Sequence, residues 1–170
     1  SFAFNKYNYI IARKLPPFFD YKSILVYSDI ERVNNNSEIK HNVIRNVLEY
    51  LKIDFGVEII NMSDVPSRSG LGSSSIFTAN LIHSLKTLKI EKIDKYNICK
   101  DVIYLEQEIL KESVGIQDSI AGVFGGLNII KIKNTYDFDV IPIKLKEEEI
   151  KHLEKSLLLF YTGIARTSSE

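Results

Sequence analysis

The sequence predicts an α+β fold, and three observations predict it. Runs rich in aromatic and β-branched residues recur in the first sixty positions, segments of helical apolar spacing cluster in the middle, and a hairpin pattern follows them. That order differs from the regular strand–helix alternation of a parallel α/β sheet.

"FAFNKYNYIIARK" reads as the first strand and "KSILVYS" as the second, separated by the turn "LPPFFDY". Asn34, Asn35, Asn36 and Ser37 supply N-cap chemistry, and behind them Ile39, Val43, Ile44, Val47, Leu48 and Leu51 recur at helical spacing. "GVEIINM" is the next strand. A Ser/Gly loop follows, and then a helix over 74–88 with Ile76, Phe77, Ala79, Leu81, Ile82 and Leu85 mostly inward. Asp94 or Lys95 opens a longer helix reaching about Leu110, with Ile98, Val102, Leu105 and Ile109 on one stripe. "SVGIQDSIAGVFGGLN" gives a loop, a short helix and a glycine turn, and "LNIIKIK" and "YDFDVIPIK" flank "NTY" as a hairpin. "KEEEIKHL" is a short polar helix and "SLLLFYTG" an isolated apolar strand. Tyr7, Tyr9 and Phe4 alternate with polar residues, as sheet-packing aromatics do.

The chain has 170 residues, 45% of them hydrophobic, which fits one domain or one domain with a piece of a second. The 22 basic and 22 acidic side chains cancel, which argues against a nucleic-acid partner without excluding a small anionic ligand. Cys99 stands alone and His41, His83 and His152 are scattered, so neither an internal disulfide nor a zinc site is expected, and a reducing, cytoplasmic setting is. There is no apolar run of the ~18 residues that a membrane span needs, and no signal peptide is visible. The start at Ser1 and the polar ending "ARTSSE" give the expectation of a fragment of something longer.

The segment "PSRSGLGSSSIFT", residues 66–78, holds two glycines and five serines between a strand and a helix. A glycine turn feeding a helix points several backbone N–H groups into one concavity, and the helix dipole adds partial positive charge. Phosphate is the usual occupant of such a place, each exposed charge gaining about 0.3–1 kcal/mol from the dipole. Gly70 and Gly72 permit close backbone approach, and the hydroxyls of Ser73, Ser74 and Ser75 suit a phosphate oxygen or hydrated Mg²⁺. The Walker A lysine is missing, position 75 holds serine where the dinucleotide fingerprint needs glycine, and no nucleophile elbow is present. The alternative is a solvent loop whose serines cap the helix.

"PSRSGLGSSS" resembles the P-x-x-x-G-L-G-S-S-A signature of the GHMP kinases, with Ser75 where alanine is commonest. "VGIQDSIAGVFGGLN" is similar to the segment in which these kinases carry their catalytic aspartate. Together with the terminal "FYTGIARTSSE", these segments look most like the sugar-1-kinase branch, which includes the D-glycero-D-manno-heptose 7-phosphate kinases and the fucokinases. The family's N-terminal substrate motif and its third, glycine-rich motif are absent from the chain.

The resemblance implies a GHMP kinase fold: a ribosomal protein S5 domain 2-like N-terminal domain followed by a ferredoxin-like one. Residues 1–150 would be the ATP-binding domain without its first strands, and 151–170 the start of the second domain. It implies an ATP- and Mg²⁺-dependent phosphotransferase acting on the anomeric hydroxyl of a small sugar or sugar phosphate, best matched to heptose 7-phosphate giving the 1,7-bisphosphate. The alternatives are another small-molecule kinase of the superfamily, of fucokinase, galactokinase or mevalonate type, and a non-catalytic metabolite-binding descendant. By the same resemblance Asp118 is the general base, or the group that orients the sugar hydroxyl. Pro66, Gly70, Leu71, Gly72, Ser73, Ser74 and Ser75 take the nucleotide, and Ser74 with Glu106 the Mg²⁺. Glu108 competes for the last role. Gly115, Thr162 and Arg166 face the substrate.

Overall fold

The computed structural model describes residues 1–67 and 69–160. Four strands, β1 (Asn8–Lys14), β2 (Ser23–Val26), β3 (Ile30–Val33) and β4 (Val57–Ser63), form one sheet in the order β1-β4-β2-β3. β1 pairs antiparallel with β4, β4 parallel with β2, and β2 antiparallel with β3. The parallel pair is joined by a crossover containing α1 (Asn42–Tyr50). Then come α2 (Ser73–Leu88), α3 (Lys95–Tyr104), a five-residue π-helical turn (Leu105–Ile109) and α4 (Gln117–Phe124). β5 (Asn128–Asn134) and β6 (Asp137–Pro142) make the expected antiparallel hairpin, and α5 (Glu147–Lys155) closes the described chain. No helix among the described residues is long and apolar enough to cross a membrane.

The helices bury one face of the sheet. Leu25, Val57 and Ile59 from the strands meet Ile44, Val47 and Leu48 of α1, Phe77, Leu81, Ile82 and Leu85 of α2, and Ile98 and Val102 of α3. Each fully buried side chain of this size contributes about 1.5–3 kcal/mol. A second cluster, Cys99, Ile103, Ile116, Ile120 and Phe138, fastens α4 and the hairpin to α3. Cys99 is fully buried, and burial pushes its thiol up to about 12.

Four expectations are corrected. The first strand begins at Asn8, not at the N-terminus; residues 1–3 instead meet Gly126–Asn128 through the Phe2–Leu127 bridge. Tyr9 lies in β1 but Tyr7 and Phe4 lie ahead of it, and Tyr7 and Tyr9 are exposed with ring centres 6.0 Å apart. Asn34–Ser37 do not cap α1. Asn36–Glu38 form a short 3₁₀ turn, and the cap is His41, whose Nδ1 accepts the Ile44 N–H at 3.4 Å. Burial holds His41 below the usual imidazole range, which keeps that nitrogen an acceptor. The delay has a cause in β3. The buried Glu31 carboxylate accepts the N–H groups of Lys40 at 2.6 Å and His41 at 3.1 Å and the Tyr27 hydroxyl at 2.8 Å. Burial acts to raise this carboxyl, but those donors outweigh it and hold it below its ordinary value. Finally, Leu157–Phe160 form no strand; they are exposed, as are all residues of α5, and the rest of "SLLLFYTG" lies outside the described residues.

The β1–β2 connection leaves no room at Gly56, which precedes β4. Its carbonyl accepts the Leu15 N–H at 2.9 Å, and a Cβ there would overlap the Lys22 carbonyl oxygen. Backbone cannot rotate away as a side chain can, so Gly56→Ala is expected to destabilise the fold by about 1–3 kcal/mol. The measurement is the urea midpoint, and an unchanged midpoint would contradict the packing described.

Candidate active site

Three helical elements converge behind the glycine–serine loop. α2 begins at Ser73, and its N-cap, Gly72, has a left-handed backbone with φ +71°. That conformation costs a residue with a Cβ about 1–2 kcal/mol. No side chain among the described residues caps the helix, so the N–H groups of its first turn stay directed at the loop. Gly70 also has a positive φ, +74°, and no atom of the described residues lies within 4 Å of where its Cβ would be. Pro66 is exposed, while Leu71 and Ser73 are half-buried. Ser74 is exposed at the helix entrance, and its carbonyl accepts the Thr78 hydroxyl at 3.1 Å.

Asp118 comes from the opposite side. It lies in the first turn of α4 rather than ahead of that helix, and it is exposed. A Cβ built on Gly72 would sit 3.1 Å from the Asp118 Cβ and 3.3 Å from its Oδ2. The last loop glycine and Asp118 therefore lie so close that a Cβ on Gly72 would be crowded by the aspartate side chain. The helices can approach this far because α4 presents Gly122 to α2, where a Cβ would fall 2.6 Å from Ile76 Cγ1. Gly72→Ala combines the left-handed strain with a methyl pressed on Asp118. It is expected to lower stability by about 1–2 kcal/mol by chemical denaturation, and wild-type stability would count against this contact.

Glu106 is the third member. The π turn inserts one residue into the end of α3; Leu110 N–H reaches back to the Leu105 carbonyl and Glu112 N–H to the Glu106 carbonyl, both at 2.8 Å. Glu106 is only 1% exposed. Its Oε2 accepts the Ser75 hydroxyl at 3.1 Å and the Ser119 hydroxyl at 3.3 Å, whereas its buried Oε1 has no partner among the described residues. Burial pushes this carboxyl up to about 7; Glu112 and Asp118 push the same way, and the two serines oppose them. Glu108 is exposed and pairs with Lys111, so the two carboxylates that sequence left in competition occupy different environments. An orphaned, dehydrated carboxylate oxygen beside a hydroxyl-rich helix start is a donor set that suits a hard divalent cation.

The structure thus brings together Gly72, Ser75, Glu106 and Asp118. Gly115 is exposed in the loop before α4, and Thr162 and Arg166 lie outside the described residues. Sequence reasoning missed Ser119. The signal was there: with Ile116, Ile120 and Val123 it occupies the inward stripe of α4, where a fully buried hydroxyl needs a partner.

Residues 38–126 match the family described as GHMP kinases N terminal domain. The chain belongs to the GHMP kinase family. It is 29% identical over 154 residues to the D-glycero-alpha-D-manno-heptose 7-phosphate kinase of Campylobacter jejuni subsp. jejuni serotype O:2, covering 89% of this chain and 45% of that protein. It is 32% identical over 124 residues to the L-fucokinase/L-fucose-1-P guanylyltransferase of Bacteroides fragilis, covering 71% of this chain and 13% of that protein. The chain thus spans less than half the length of either. Its GHMP kinase fold is shared with a crystal structure described as a D-glycero-D-manno-heptose 1-phosphate kinase from Bacteroides thetaiotaomicron. The TM-score is 0.77 at 20% identity, covering 88% of this chain and 52% of that one. A mevalonate kinase structure gives a TM-score of 0.61 at 24% identity over 87% of this chain and 49% of that one.

Proposed function

We propose that this chain carries the nucleotide-binding and catalytic centre of an ATP-dependent kinase that phosphorylates the anomeric hydroxyl of a sugar phosphate, with heptose 7-phosphate as the best-supported acceptor. The observation that carries the reading is the close approach of Asp118 to Gly72, near enough to crowd a Cβ there. It sets a carboxylate near the mouth of a helix N-terminus that no described side chain caps, where phosphate binds most readily.

Phosphoryl transfer asks a protein for alignment, charge neutralisation and a destination for one proton. Gly70, Leu71 and Gly72 shape the loop around the nucleotide phosphates, with Pro66 setting its approach, and the N–H groups of Ser73, Ser74 and Ser75 bind them. Asp118 orients the sugar hydroxyl and takes its proton as the oxygen bonds to phosphorus and the bond to the departing ADP oxygen breaks. Glu106 Oε1 and the Ser74 hydroxyl would hold Mg²⁺, which supplies charge neutralisation on the phosphates when bound. Gly115 sits where the loop before α4 can face the acceptor, and Thr162 and Arg166 are assigned to the sugar phosphate. In this reading residues 1–150 form the nucleotide domain and 151–170 begin the next. The setting is cytoplasmic, with neither nucleic acid nor membrane as a partner.

The test is ³¹P NMR of the full-length protein with Mg-ATP and a panel of heptose 7-phosphate, mannose, fucose, galactose and mevalonate. A new anomeric-phosphate signal with heptose 7-phosphate supports the reading. A signal with fucose or galactose alone moves the acceptor within the family, and phosphorylation of mevalonate alone, or of nothing while ATP binds, overturns the sugar assignment.

A further inference from the structure

Nothing in the family signature explains why two serines from different helices converge on one buried glutamate oxygen. Ser75 stands where the signature usually has alanine, and Ser119 follows the proposed base. Their hydroxyls donate to the same atom, Glu106 Oε2, at 3.1 and 3.3 Å, while Oε1 of the same carboxylate is buried and has no partner among the described residues. All three residues are buried: Ser75 is 4% exposed, Ser119 fully buried and Glu106 1% exposed. Their Cα positions are fixed from below by the α2–α4 contact at Gly122 and by the π turn.

An ionised carboxylate has about four lone-pair sites and finds partners for most of them when buried. Here both donors found among the described residues are spent on one oxygen. A purely structural carboxylate would gain by sharing them between its two oxygens, because an unsatisfied buried acceptor is costly. The arrangement fits a group held by one oxygen so that the other is presented, as outer-sphere donors hold the ligands of a metal.

We propose that Ser75 and Ser119 are positioning residues that clamp Glu106 through Oε2 and so aim Oε1 at the divalent cation of the nucleotide. The clamp also joins the helix that starts at the phosphate loop to the helix that carries Asp118, so cation, phosphates and base share one frame. This rests on the proposed role of Glu106 as a cation ligand.

The test titrates Mn²⁺ into the full-length protein saturated with ADP and follows the free ion by electron paramagnetic resonance. The variants are Ser75→Ala, Ser119→Ala, the double substitution and Glu106→Gln; metal-free ADP affinity is measured beside each. The double substitution is expected to weaken Mn²⁺ binding about 10–100-fold, each single one by less, and to change ADP affinity in EDTA by a much smaller factor than it changes Mn²⁺ affinity. Ser75→Ala installs the family's usual side chain, so it keeps the test open if Ser119→Ala folds poorly. Wild-type Mn²⁺ affinity in both alanine variants, with affinity lost in Glu106→Gln, overturns the clamp and leaves Glu106 as ligand. Wild-type affinity in Glu106→Gln overturns the clamp together with the reading beneath it.

Discussion

Asp118→Asn is expected to lower kcat of the full-length enzyme by a factor on the order of 10²–10⁴, the usual value of a positioned acid or base, while ATP affinity stays near wild type. The substitution keeps the shape of the side chain, so its packing beside Gly72 survives. Asp118 is exposed and its side chain makes no hydrogen bond among the described residues, so little stability depends on it. What asparagine cannot do is accept the hydroxyl proton. Steady-state kinetics paired with calorimetric ATP binding separates the two effects. A kcat within about fivefold of wild type would remove Asp118 from the reaction, since a positioned base accounts for far more than that.

Glu106→Gln is expected to make the metal-free protein more stable and the enzyme worse. The wild-type carboxyl titrates near 7 in the fold, against an ordinary value of 4.5. Below about pH 4.5 it is neutral in both folded and unfolded chains and costs nothing. Between there and about 7 the unfolded chain releases its proton while the fold retains it, so stability falls as pH rises. Above 7 the penalty is complete at about 3 kcal/mol, from 1.36 kcal/mol per pK unit, and the near-total burial of Glu106 leaves little solvent to screen it. Glutamine carries no such penalty. In EDTA, urea denaturation from pH 5 to pH 8 should show a wild-type minus variant difference that grows with pH. A difference independent of pH would mean that Glu106 ionises normally. Catalytic decline in the more stable variant is the trade expected of a strained site.

How far the sequence reveals this molecule depends on which residues obey its patterns. α2 is legible because Gly72 and the serines announce its start and six apolar residues follow at helical spacing. The hairpin is legible from alternating β-branched residues on either side of "NTY". β3 is hidden because its alternation is inverted: Ile30 and Arg32 face out, while Glu31 and Val33 face in. A buried glutamate is intelligible only once Tyr27, Lys40 and His41 surround it. The start of α1 is misread for the same reason, since Glu31 takes N–H groups that asparagine capping would have used differently. In the site, the motifs locate Gly72 and Asp118, but their contact across 46 positions of chain is a fact of helix packing at Gly122. The π turn is equally silent in sequence, because one inserted residue in "LEQEI" leaves the apolar spacing on both sides intact.

The union of residues 1–3 with Gly126–Asn128 bears on how the chain folds as it is made. Asn128 N–H bonds the Ser1 carbonyl at 2.9 Å, 127 positions away, and Ala3 N–H bonds the Gly126 carbonyl at 2.8 Å. At about 5–20 residues per second, a ribosome needs roughly 6–25 s to pass from one partner to the other. Through that interval Phe2 lacks its bridge to Leu127, and β1 itself must wait for β4. The earlier-made partner is thus among the last parts of the described chain to be folded, and the Ala3 N–H and the Ser1 carbonyl wait unpaired until Gly126 and Asn128 have been made.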